Sequence, residues 1–510
     1  MRFFVLYMAS HVVSMNQTRR ISFGAFKGLA TPLSPKFGQL SLSTTKHTVI
    51  AGQGLKKLVQ THDALVSLRT EKDAEGTFMV PLSSGGFAKT TLIAVPNEVG
   101  RFNCKSRPDA LAKSLLAVTQ STKSNLSLNL SVADRSDVLA SAMAVFRSCP
   151  FVTYKHDSNK PASAVEVTFQ IESGESLTEA EIHEISTIGN AVRMAQALTD
   201  LPPNELNPDS FTEIVSSMCG GLDGVGVEVI ENCEQRGLLG IHNVGKASRH
   251  KPRMIVLTHS VSGESPSSSV TAIVGKGITY DTGGLSVKPS NSMKGMKRDM
   301  GGAAAALGAF VALAQLPRTE PKTLHCILCI AENSLGSASF RNDDIFNLYS
   351  GKSVEINNTD AEGRLLLADG VAFASKDLKA GTIFDIATLT GAASIASGKL
   401  HASFVSTDAD LARAVVDAGM ATGDLVHELP FCPELLKPNL KSTLADMKNS
   451  TVTPGDAPSA VAAYFVYENL KGSGFKGTRW AHIDMASVVD YLGERSTGYG
   501  VALLAKLIRK

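Results

Sequence analysis

At 510 residues the chain is longer than one ordinary core accommodates, so two domains are expected. Its 50 Lys and Arg nearly cancel 48 Asp and Glu, and a net charge of +2 gives no electrostatic reason to expect nucleic acid as the main partner. With 43% hydrophobic and 19% charged residues it reads as an ordinary α/β protein, and no apolar run approaches the roughly 18 residues of a membrane span.

In chain order, the first feature is compositional. No Asp or Glu precedes Asp63, while Arg2, Arg19, Arg20, Lys27 and Lys36 stand among many serines and threonines. Such a composition resembles an organelle transit peptide, but without a cleavage signal it is read as a basic extension of a cytosolic protein; mitochondrial or other organelle delivery is the alternative. To about residue 185, short β-branched stretches alternate with helical ones. Residues 164–171 alternate as a strand should, and 177–194 have helical spacing with an acidic start.

Beyond residue 205, strands near 226–231, 253–258, 270–275, 324–331 and 382–388 alternate with helices, the clearest being the Ala-rich run 301–316. That rhythm predicts a mostly parallel central sheet flanked by helices, with a site at the strands' carboxyl ends. The strand from Val270 leads into Gly275-Lys276-Gly277, Asp281-Thr282-Gly283-Gly284, Lys288 and Asp299. About eighty residues on comes Asn358-Thr359-Asp360-Ala361-Glu362-Gly363-Arg364-Leu365, opening an apolar helix. Thr359 and Glu362 alone make an acceptable capping box, Asp299 alone could cap the helix from Gly301, and lysines are most often solvated. Together, Asp281, Asp299, Asp360 and Glu362 carry the formal charge that matches two divalent cations. Lacking a glycine at Tyr280, the first segment is no dinucleotide fingerprint, and Gly351-Lys352-Ser353 is no phosphate loop.

These two segments closely resemble the leucine (cytosol) aminopeptidases, and the likeness extends over about residues 190–505 through Leu201-Pro202-Pro203-Asn204-Glu205-Leu206, Ala387-Thr388-Leu389-Thr390-Gly391-Ala392, Trp480-Ala481-His482-Ile483-Asp484 and Thr497-Gly498-Tyr499-Gly500. The resemblance implies domains at 63–185 (N-terminal α/β, preceded by the 1–62 extension and domain start), 186–205 (interdomain helix and linker) and 206–510 (catalytic). It implies one metal among Lys276, Asp281, Asp299 and Glu362, and a second on Asp281, Asp360 and Glu362 with the Asp360 carbonyl, Asp281 and Glu362 bridging. Zn, Mn, Co and Mg all suit such ligands. A lysine ligand must be neutral, so Lys276 should bind only once metal is present and release a proton. The implied reaction is removal of amino-terminal residues from peptides with a free N-terminus by a metal-activated water, with Lys288 supporting the oxyanion and Arg364 holding a bicarbonate as base. For Arg364 the alternative is a plain ion pair.

By the same resemblance the side-chain pocket would comprise Met296, Thr388, Gly391 and Ala486, fitting a leucine-sized residue with some breadth; Val489 reads as core packing. A homohexamer is likewise implied. Two loops depart from the family, Asn333-Ser334-Leu335-Gly336-Ser337 and residues 451–458, and neither is expected to touch the proposed ligands. Seven cysteines, an odd number, suggest a reducing compartment, and Cys326 and Cys329 read as buried inert thiols within a strand. No two of the twelve histidines have metal-ligand spacing, and His482 reads as a satisfied core histidine. Other classes of function are a DNA-binding or regulatory role, which needs a basic groove; an inactive structural homologue, which the full ligand set disfavours; and a dinuclear phosphoesterase, which normally needs histidine ligands.

Overall fold

The computed structural model describes residues 5–7, 46–52, 76–81, 87–95, 98–121, 125–149, 165–261, 269–320, 323–451, 456–473 and 477–509. Most of the basic segment before residue 63, and residues 452–455 of the second departing loop, therefore lie outside the described residues. Packing divides the chain into two units, 1–190 with 420–423, and 191–419 with 424–510.

The first unit is built on six strands: β1 (Val5–Tyr7), β2 (Lys46–Gly52), β3 (Gly76–Pro81), β4 (Phe87–Ala94), β5 (Asn125–Val132) and β6 (Val165–Ile171). They lie in the order β1-β6-β5-β2-β4-β3, with β6, β5, β2 and β4 mutually parallel and both edge strands antiparallel. Helices Pro108–Ser121 and Val138–Arg147 pack together, burying Leu111, Leu115, Met143 and Phe146. Helix Glu179–Asp200 begins in this unit and ends in the second.

The second unit supplies β7 (Val225–Ile230), β8 (Arg253–Ser260), β9 (Val270–Asp281), β10 (Thr323–Asn333), β11 (Ile345–Asn347), β12 (Ser353–Glu355), β13 (Thr382–Ala387), β14 (Ala402–Ser406), β15 (Val426–Glu428), β16 (Met447–Lys448) and β17 (Arg479–Asp484). Eight of them form one sheet in the order β15-β14-β17-β13-β9-β10-β8-β7; β11, β12 and β16 form a small separate one. The centre, β17-β13-β9-β10, is parallel throughout. Antiparallel pairings flank it where β14 meets β17 and where β10, β8 and β7 meet, so the sheet is mixed around a parallel core.

Both faces of that core are covered. Helix Gly301–Gln315, buried along residues 301–313, lies on one side, and helix Gly363–Lys376 on the other. Successive β9 residues alternate between them: Gly275 faces Ala303, whereas Val274 faces Gly370 and joins Ile278, Leu366 and Val371 in one apolar cluster. Strands buried on both faces read as nearly continuous apolar runs, as β9 and β10 do. Parallel strands connected by helices bring their carboxyl ends to one edge, and there lie Asp281, Asn333, Ala387 and Asp484.

The close approach of helix Gly301–Gln315 depends on Gly302, where a Cβ would fall 2.2 Å from the Ile386 carbonyl oxygen of β13. Gly302→Ala should therefore force helix and sheet apart. The expected cost is about 1–3 kcal/mol, read as a lower denaturant midpoint.

Candidate metal centre

The strand ends concentrate charge. β9 carries Lys276 and Asp281; the turn before helix Gly301–Gln315 carries Asp299; and the loop before helix Gly363–Lys376 carries Asp360 and Glu362. Lys276, Asp281 and Glu362 are each 2% exposed and Asp299 is 6% exposed. Lys276 shares its strand face with Val274 and Ile278, and its stem runs beneath helix Gly363–Lys376 so closely that a Cβ on Gly363 would come within 2.5 Å of Lys276 Cε.

The Lys276 ammonium donates to Asp299 Oδ1 at 2.8 Å and to the Thr388 carbonyl at 2.9 Å, and it lies 3.0 Å from Glu362 Oε1. Thr388 Oγ1 also donates to Asp299 Oδ1, at 2.9 Å. Lys288 Nζ lies 2.8 Å from Asp281 Oδ2 and 2.6 Å from Asp360 Oδ1. Carboxylate oxygens of Asp281, Asp360 and Glu362 fall within 4.8 Å of one another. The structure thus brings all five proposed ligands and Lys288 into one cluster, with two ammonium groups opposing four carboxylates.

Electrostatics reflect that imbalance. Burial, with neighbouring carboxylates adding to it, pushes Asp299 up to about 7 and Glu362 up to about 8. Burial also raises Asp360. Burial alone would lower Lys276, but Asp299, Glu362 and Asp281 hold its ammonium above the usual lysine range; Asp281 and Glu362 do the same for Lys288. Without another cation nearby, Lys276 is therefore charged, and ligation would have to displace its proton.

The capping alternatives fail on geometry. Thr359 Oγ1 donates to the Gly283 carbonyl at 2.7 Å and accepts from Ser286 N at 2.7 Å, so it clamps the two motif loops together instead of capping. Asp299 precedes a helix whose first residues receive no side-chain cap. Arg364, 7% exposed, donates to the Asn449 carbonyl at 3.0 Å, leaves its Nε without a partner, and pairs with no carboxylate among the described residues. Burial draws its guanidinium down to about 10. The ion-pair alternative for Arg364 is thus absent.

Of the proposed pocket residues, Thr388 lies just past β13, Met296 and Ala486 are half-buried, and Gly391 is exposed with open space where a Cβ would stand. Asp484 at the end of β17 accepts from the backbone N–H of Leu389, Thr390 and Ala486, which fastens Thr388 and Ala486 to a common anchor. Val489 is buried against Gly301, as core packing requires. Cys326 and Cys329 are buried in β10, where burial raises both thiols far above their ordinary range. His482 is only half satisfied: Nδ1 donates to Asp385 at 2.5 Å, while Nε2 is buried without a partner.

One expectation is overturned. Asn333, in the first departing loop, touches a proposed ligand: its Nδ2 donates to Asp281 Oδ1 at 2.8 Å. Asn449 was also missed. Its amide donates to the Asn358 and Ala361 carbonyls at 2.7 and 3.2 Å and fixes the loop bearing Asp360. For Asn333 the available signal was a polar residue ending an apolar strand; for Asn449 there was none.

Do these residues suit metal ions? Glu362 Oε2 is buried with no hydrogen-bond partner. Asp299 Oδ2 and Asp360 Oδ1, at 2.8 and 2.6 Å from lysine Nζ atoms, meet them off the hydrogen-bonding line. Buried carboxylate oxygens left this way, with one amine beside them, are a fitting donor set for divalent cations. Ligation requires Asp299 and Glu362 ionised and Lys276 neutral. Mn(II) affinity should therefore rise as the pH climbs through about 7 to about 8, with proton release on binding. Calorimetry in buffers of different ionisation enthalpy measures both; pH-independent affinity with no proton release contradicts this assignment.

Residues 193–505 match the catalytic-domain model of the Cytosol aminopeptidase family, and residues 42–158 match M17 aminopeptidase N-terminal domain 2. The chain is 43% identical over 423 residues to the human "Probable aminopeptidase NPEPL1", covering 82% of this chain and 79% of that protein. It superposes with a TM-score of 0.81 on Caenorhabditis elegans leucine aminopeptidase (LAP1), at 35% identity over 93% of this chain and 97% of the other. A Trypanosoma brucei leucyl aminopeptidase solved with bestatin gives a TM-score of 0.82 at 30% identity, covering 98% of each chain. With its charged strand-end cluster and these matches across both domains, the chain belongs to the cytosol aminopeptidase family.

Proposed function

We propose that this chain is a metal-dependent aminopeptidase, releasing leucine-like amino acids from peptides with a free N-terminus, and that Lys276, Asp281, Asp299, Asp360 and Glu362 hold two divalent ions. The observation that carries this reading is the convergence of Asp281, Asp360 and Glu362 oxygens within 4.8 Å, beside a buried lysine and a partnerless carboxylate oxygen. Bound divalent ions would supply Lewis acidity, polarising the scissile carbonyl and acidifying water.

The chain's own groups account for the rest. Lys288 presents an ammonium at the mouth of the cluster, where charge developing on the carbonyl oxygen would attract it more strongly than the ground state does. Arg364 offers a buried guanidinium whose Nε is unpaired, suited to a planar anion such as bicarbonate; that anion when bound would supply a general base. Met296, Thr388, Gly391 and Ala486 would receive the first side chain, with Asp484 anchoring the backbone beside Thr388 and at Ala486. Domain limits near residues 62, 185 and 205, Zn or Mn as resident ions, a homohexamer and a cytosolic location belong to the same reading. In its support, some relatives are named cytosol aminopeptidase.

The test uses metal-stripped protein with leucine p-nitroanilide and its amino-blocked counterpart, with and without added Mn(II). Cleavage of the free-amine substrate alone, and only with metal, is expected. Cleavage of neither by protein shown to hold metal would favour a structural or regulatory role. Lys288→Ala should keep both ions yet lower kcat about 10²–10³-fold, corresponding to about 2.7–4 kcal/mol. Asp360→Ala should lose activity together with one ion; full activity in the Lys288 variant removes the oxyanion assignment.

A further inference from the structure

We infer that Asn333 is a positioning residue that sets the ligand geometry of Asp281 and ties it to the loop bearing Asp360 and Glu362. This inference rests on the proposed metal centre. Asn333 is wholly buried at the end of β10, opposite Asp281 across a register shift between the parallel strands. Its backbone carbonyl accepts from Thr282 N at 3.1 Å and Thr282 Oγ1 at 2.6 Å, so the residue is held by the segment that follows Asp281. Its Nδ2 donates to Asp281 Oδ1 at 2.8 Å and to the Thr359 carbonyl at 3.1 Å. Two segments about eighty residues apart in sequence, each supplying proposed ligands, are thus bridged by one side-chain amide.

The chemistry of that amide matters. It is uncharged, so it fixes Asp281 without adding a further negative charge to the cluster. Asp281 Oδ1 also accepts from Gly283 N at 2.9 Å. With Oδ1 receiving two N–H groups, Oδ2 is the oxygen that meets Lys288. Groups that orient a metal ligand in this way typically change metal affinity by about 10–100-fold when removed. Asn333 Oδ1 has no hydrogen-bond partner and packs against Gly284, where a Cβ would stand 2.9 Å from it. The side chain's contribution to the cluster is therefore its two N–H groups, and a residue branched in the same way without them should occupy the site but not the role.

The test compares metal-stripped wild type with Asn333→Ala and with Asn333→Leu, which keeps the branch at Cγ and the number of side-chain heavy atoms but has no N–H groups, titrated calorimetrically with Mn(II) alone and melted in the metal-free state. Ser334→Ala, the next residue, which loses a hydrogen bond to Glu332 of β10, serves as control. We expect both Asn333 variants to lose about 10–100-fold in Mn(II) affinity, and excess Mn(II) to restore most of kcat with KM little changed; the control should bind as wild type does. Wild-type affinity in either folded Asn333 variant overturns the inference. So does failure of both variants to fold, because the amide would then serve the fold and not ligand placement. If wild type itself binds no Mn(II), the metal centre fails first, and that result is distinguishable from the others.

Discussion

The organising constraint is the mutual repulsion of four carboxylates gathered at the carboxyl edge of a parallel sheet. Buried carboxylates so near one another are costly unless cations compensate them. Lys276 and Lys288 supply two positive charges, yet Asp299 and Glu362 still stand well above their ordinary range because burial outweighs what the lysines return. A protein organised only for stability would tend to replace such a cluster with apolar residues of similar volume, since buried ion pairs contribute little net stability. Its presence within an otherwise apolar sheet is the clearest physical sign of a site.

The surrounding fold makes the cluster possible. β9, β10, β13 and β17 end at one edge and deliver Asp281, Asn333, Thr388 and Asp484 from four adjacent parallel strands. Backbone, amide and hydroxyl donors then fix the acids: Asn333 and Gly283 on Asp281, the Thr388 hydroxyl on Asp299, and the 389–390 backbone on Asp484. Such prior fixing lowers the reorganisation required when charge develops during reaction. The apolar helices on both faces exclude water from the strands behind the site, which strengthens each of these interactions.

Much of this was legible in the sequence because it is local. Glycines after a β-branched strand, and a dense charged run opening an apolar helix, mark the two ligand segments without any knowledge of their contact. The strands at 225–230, 253–260 and 382–387 fall close to where apolar runs place them. β17 is different: in Trp480-Ala481-His482-Ile483-Asp484 polar residues alternate with apolar ones, and all five are buried. Asp385 takes the Trp480 Nε1–H at 2.7 Å and the His482 Nδ1–H at 2.5 Å, a compensation supplied by a strand nearly a hundred residues away. Asn333 and Asn449 escaped for the same reason, since a single amide has no periodicity and acquires its meaning only from long-range partners. The antiparallel flanks likewise follow from pairings among distant strands, which local patterning does not encode.

The most direct test of the account is metal content per chain after equilibration with Mn(II) and desalting, measured for wild type and for Glu362→Ala. Glu362 is the buried carboxylate with an oxygen left wholly without a partner, and the account makes it common to both ions. Two ions per wild-type chain and at most one in the variant is the predicted result. Equal metal content in the two proteins would contradict it and remove the buried acidic cluster as the seat of the chemistry.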